Sequence, residues 1–136
     1  NVASEIDRLK SSGGNGELFM KSYGGISLHN QSHGESFMAI MKNRFSGHGL
    51  YILDEPEAAL SPSRQMAMLA LMKRLVDQDS QFIISTHSPI LMAYPEAEII
   101  ELDETGFRST PYKETAHYRL TNYFLNNTEM MLKELM

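Results

Sequence analysis

Two adjacent carboxylates, Asp54 and Glu55, close the apolar run Tyr51-Ile52-Leu53 and are followed at once by Pro56. A short apolar segment of this kind reads as a buried parallel strand whose carboxyl end opens into a site. Charged groups at such an end are costly to desolvate, so two side by side point to a bound cation, a proton-transfer task, or both. Successive side chains of an extended chain point to opposite sides, which divides the work. Asp54 is expected to take a magnesium ion, directly or through water, and Glu55 to handle the attacking water of a phosphoryl transfer. The same residues also fit a strand that simply ends in a turn, where Asp and Pro are common.

Two further segments flank this pair at ordered positions. Upstream, Ser32-His33-Gly34-Glu35 forms an S-x-x-E capping box ahead of Phe37, Ile40 and Met41, and the spacing predicts a helix from about 33 to 45. Such a helix is either an ordinary capped element or, with exposed N–H groups and a small Gly34, an anion site. Downstream, Gln81-Phe82-Ile83-Ile84-Ser85-Thr86 reads as a second buried strand with His87 at its carboxyl end. Ligands of open α/β sheets collect outside the carboxyl ends of strands, so His87 and the Asp54-Glu55 pair are expected to open on one crevice. A lone histidine after a strand is otherwise a turn residue.

Taken in order, Gln31-Ser32-His33-Gly34-Glu35-Ser36, Asp54-Glu55-Pro56-Glu57-Ala58-Ala59-Leu60-Ser61-Pro62 and Ser85-Thr86-His87-Ser88 resemble the C-terminal half of an ABC-class ATPase. They match its signature motif, Walker B, D-loop and switch histidine. The stretch from Asp54 to Pro62 looks closer to the soluble SMC-like or RecF-like branch than to transporter subunits. The resemblance implies ATP and Mg2+ as cofactors, Asp54 on the metal, and Glu55 and His87 as the catalytic pair. It also implies that Ser32, Gly34 and Glu35 meet the nucleotide of an opposite subunit, in a homodimer closed around ATP. Gln31, His33 and Glu35 depart from the transporter pattern Leu-Ser-Gly-Gly-Gln, and Ser61 stands where transporters usually have aspartate. A possible partner is an effector machine in DNA repair or defence.

These segments need a scaffold to position them, and the rest of the chain supplies its signals. Ser46-Gly47-His48-Gly49 is a turn that feeds the first strand. Ser61-Pro62 starts a helix of about 63–78, with Met66, Leu69, Met72 and Val76 as its expected core face. Pro89 opens a short helix through Met92. Residues 97–102 and 107–112 read as a hairpin turning at Asp103-Glu104-Thr105-Gly106. Helices follow from Thr115 to about Leu125 and from Thr128 to Leu135, broken by Asn126-Asn127, with His117, Tyr118 and Tyr123 expected to pack the first on the sheet. At the other end, residues 1–10 carry a helix-like pattern and 11–16 a glycine-rich loop. Gly16 precedes Lys21-Ser22 at a Walker A offset, but Met20 occupies the position where that loop needs glycine.

The 136 residues, 42% hydrophobic, amount to one domain at most, and a net charge of −5 argues against a strong nonspecific nucleic-acid footprint. With no cysteine there is neither a disulfide framework nor a thiolate metal site. No apolar run approaches the roughly 20 residues that span a bilayer. The expectation is a cytoplasmic α/β chain: a mostly parallel sheet flanked by helices, the C-terminal half of a P-loop nucleoside triphosphate hydrolase domain. Its parts would be 1–30 (helix and loop), 31–102 (the motif region) and 103–136 (hairpin and last helices), with the Walker A half lying upstream in a parent protein. Three functions fit: an ATPase half-domain of such a parent, a subunit completing the site of a separate P-loop chain, or a non-catalytic α/β interaction module.

Overall fold

A computed structural model describes residues 33–136, and elements are numbered within that span. The chain divides into two compact units, Asn1–Thr86 and His87–Met136. The α/β class expected from the sequence is the one observed: a parallel strand pair, an antiparallel hairpin and helices.

In the first unit, helix α1 (His33–Arg44) leads through a turn to strand β1 (Leu50–Asp54). A 3₁₀ turn (Pro56–Ala59) and helix α2 (Pro62–Val76) then return the chain to strand β2 (Gln81–Ser85). The strands pair in parallel, Leu50 opposite Gln81 and Asp54 opposite Ser85. Polar contacts ahead of both strands set this register. Gln81 N–H donates to Gly49 O (2.8 Å), and the buried Ser80 hydroxyl accepts from Gly49 N–H (3.1 Å) while donating to Ser46 O (2.9 Å). On one face Tyr51 stacks on Phe45, with ring centroids 4.1 Å apart, and approaches Phe82. The core lies between α1 and α2, where Phe37, Ile40, Met41, Met68, Leu71 and Leu75 are buried.

Two expectations about this unit are corrected. The buried stripe of α2 runs through Gln65, Met68, Leu71, Met72 and Leu75, while Met66 and Val76 are exposed and Leu69 is half-buried. Apolar residues surround this helix, so two stripes compete on periodicity, and docking against α1 and β2 decides between them. The strands are also not buried through. Leu50, Ile52 and Ile83 are exposed while Tyr51, Leu53, Phe82 and Ile84 are half-buried, because among the described residues only one face of the pair is packed.

In the second unit, helix α3 (Pro89–Met92) precedes strands β3 (Ile100–Asp103) and β4 (Gly106–Ser109), which pair antiparallel. The turn between them is fastened by Asp103, whose carboxylate accepts from Thr105 N–H (2.8 Å). A 3₁₀ turn (Tyr112–Glu114), helix α4 (Ala116–Asn126) and helix α5 (Thr128–Leu135) complete it. Thr115 caps α4 by accepting from Tyr118 N–H (3.3 Å), as expected of threonine at a helix start. Within its unit α4 meets the preceding 3₁₀ turn, α3 and α5, and none of its residues is buried. Among the described residues no helix is long and apolar enough to cross a membrane. The expected helix and loop over 1–16, the Lys21-Ser22 pair and Ser32 lie outside the described residues.

Candidate functional site at the carboxyl end of the parallel strands

Asp54 is the last residue of β1, and it lies opposite Ser85, the last residue of β2. Both carboxylates, Asp54 and Glu55, are exposed. The chain does not continue extended beyond Asp54, which corrects the alternation expected of the pair. Glu55 adopts a left-handed conformation (φ 46°, ψ 54°) while its N–H still donates to Ser85 O at 2.8 Å. Proline at the next position disfavours the right-handed region for Glu55, and the turn into the 3₁₀ segment takes the left-handed one. For a non-glycine residue this costs about 1–2 kcal/mol and persists where neighbours hold it. Here they include Ala58 N–H, which donates to Glu55 O (3.1 Å). His48, Asp79 and Glu96 also have positive φ, so the conformation becomes informative at Glu55 through its place beside Asp54.

Among the described residues no group of three or more His, Asp or Glu side chains could hold a metal by itself. Asp54 nevertheless fits magnesium, which is commonly held by one or two carboxylates, with waters and phosphate oxygens filling the other positions. Glu55, turned out of the strand, fits a group that orients or deprotonates water.

The start of α1 and the start of α2 come together beside the 3₁₀ turn. Gly34 is buried, and a Cβ added there would stand 2.3 Å from Ala59 O, so only glycine permits this approach. Glu35 forms an ion pair with Arg64 (3.3 Å). Arg64 N–H in turn donates to the hydroxyl of Ser61, the cap of α2, at 3.4 Å. The segments matched to signature motif and D-loop are therefore neighbours in space. Nothing local in the sequence distinguishes Arg64 from any other helix arginine; its partner is 29 residues away in the chain (64 − 35).

His87 belongs to the second unit. Its Nδ1 stands 3.0 Å from Nε2 of His117, with ring centroids 5.1 Å apart. Ser88 caps α3 by accepting from Leu91 N–H (3.2 Å). Tyr112 Oη donates to Pro89 O (2.7 Å), and burial pushes that phenol up from its ordinary pKa. Glu101 accepts from Ala116 N–H (3.0 Å), and this bond holds its carboxyl below its ordinary pKa. In sequence His117 reads as a packing residue, because its partner His87 lies 30 residues away in the chain.

Parallel strands joined by a crossover helix, with a carboxylate at the end of β1, fit the α/β class whose ligands bind outside the carboxyl ends of the strands. A family model described as an AAA ATPase domain matches residues 13–92, more than half of the chain. The chain belongs to this AAA ATPase domain family, a P-loop class that binds and hydrolyses ATP. A search of curated proteins found no match.

Proposed function

We propose that this chain contributes one side of an ABC-type ATP site, in the soluble SMC-like or RecF-like branch, and works as a dimer closed around nucleotide. The observation that carries the reading is the end of β1, where Asp54 finishes the strand opposite Ser85 and Glu55 turns out of it in a left-handed conformation. Asp54 would hold magnesium, which would supply neutralisation of phosphate charge. Glu55 accepts a proton from the water that attacks the γ-phosphorus as the bond to the ADP oxygen breaks. His87 contacts the γ-phosphate. Ser32, Gly34 and Glu35 meet the nucleotide of the opposite subunit at the start of α1. Support for that last role comes from the clasp of Glu35 and Arg64 and from the tight seat of Gly34, which together fix the helix end beside the 3₁₀ turn.

Dimerisation of the full-length protein tests this reading. In a hydrolysis-impaired Glu55→Gln background, ATP should drive monomer to dimer in light scattering. Adding Ser32→Arg should block that shift by bulk and by loss of a hydroxyl, while each monomer still binds ATP. Normal ATP-driven dimers with Ser32→Arg would return the start of α1 to an ordinary capped helix.

A further inference from the structure

We infer that His117 is a positioning residue for His87, donating its Nε2–H to His87 Nδ1 and so fixing His87 in the tautomer that carries its proton on Nε2. The inference rests on the proposed contact between His87 and the γ-phosphate. At 3.0 Å, two imidazole nitrogens share one proton: one ring donates and the other offers a lone pair. The bond engages Nδ1 of His87, so any work that His87 does on phosphate or water passes through Nε2. With His117 as donor, that nitrogen carries hydrogen and suits an anionic oxygen. With His117 as acceptor, it would carry a lone pair and face an anion unfavourably.

Contact of His87 Nε2 with an anionic oxygen needs hydrogen on that nitrogen, which leaves the lone pair on Nδ1 and makes His117 the donor.

The two histidines are also brought together by bonds other than their own. Tyr112 Oη donates to Pro89 O, two residues beyond His87. Tyr112 O accepts from the hydroxyl of Thr115 (2.8 Å), the fully buried cap two residues before His117. The hairpin adds a third tie through Glu101. The second unit thus presents His117 to His87 on anchored backbone, while both rings remain exposed and replaceable without opening a core.

The test uses full-length protein with 15N-labelled histidine, reading which ring nitrogen of His87 is protonated, alongside ATP turnover. We expect the proton on Nε2 in the parent and in His117→Gln, whose amide still donates, and a mixture of tautomers in His117→Ala. Turnover in His117→Ala should fall on the order of tenfold in kcat, with KM nearly unchanged, and recover in His117→Gln. Unchanged far-UV circular dichroism separates lost positioning from lost fold. A proton on Nδ1 of parental His87, or a tautomer and kcat indifferent to His117→Ala, overturns the inference. Parental turnover in His87→Ala, with the proton still found on Nε2 in the parent, sinks the phosphate role and leaves His117's control of the tautomer standing.

Discussion

Met41 and Met68 are sealed inside the first unit, along with Phe37, Ile40, Leu71 and Leu75, whereas the second unit buries Leu91 as its apolar residue among those described and leaves Leu102 79%, Phe107 77% and Leu135 70% exposed. What orders the second unit is polar: the Thr115 cap, the Tyr112 bond to Pro89, the Glu101 bond to Ala116, and the Asp103 and Arg108 contacts of the hairpin. The contrast matches two kinds of task. A carboxylate pair at a strand end needs a stiff base, and close-packed apolar side chains supply one. A histidine with the phosphate contact proposed for His87 needs its ring nitrogens assigned, and hydrogen bonds do that while apolar packing does not.

Paired truncations would sharpen this contrast. Met68→Ala leaves a cavity in a fully buried position and should destabilise the first unit by about 2–5 kcal/mol. Thr115→Ala removes a helix cap and should cost the second unit about 1 kcal/mol. Chemical denaturation of the two variants gives both values, and a Thr115→Ala loss equal to that of Met68→Ala would erase the distinction between apolar and polar anchoring.

A smaller effect should appear with pH. The carboxyl of Glu101 lies below its ordinary value of 4.5, first because it accepts from Ala116 N–H. A depressed carboxylate contributes stability that is fully present above its unfolded pKa and is lost as pH falls through the folded one. Hydrogen exchange at the start of α4 should therefore be insensitive to pH near neutrality, after correction for intrinsic rates, and protection should drop under acid. Glu101→Gln should flatten that drop without abolishing it elsewhere in the hairpin, since Asp103 is also lowered by its bonds from Thr105. An acid loss in α4 unaffected by Glu101→Gln would show that another group anchors the helix.

The sequence made the local elements readable. Strand limits near Leu50–Asp54 and Gln81–Ser85, the Ser61-Pro62 start of α2 and the Thr115 start of α4 all carry their signals within a few residues. What stayed hidden depends on contacts distant in sequence. The buried face of α2 could not be chosen from a helix apolar on several sides, and the left-handed turn at Glu55 reverses an alternation that holds only while the chain is extended. The pairings of Glu35 with Arg64 and of His87 with His117 exist only once the chain has folded. The candidate residues could thus be named in advance, but their partners could not.

The most direct measurement is ATP turnover by full-length protein carrying Glu55→Gln, with nucleotide affinity measured on the same sample. If Glu55 takes the proton of the attacking water, turnover falls by about 10²-fold or more while ATP binding stays nearly intact. Parental turnover in this variant would contradict the assignment and move the base elsewhere, with His87 the first residue to examine.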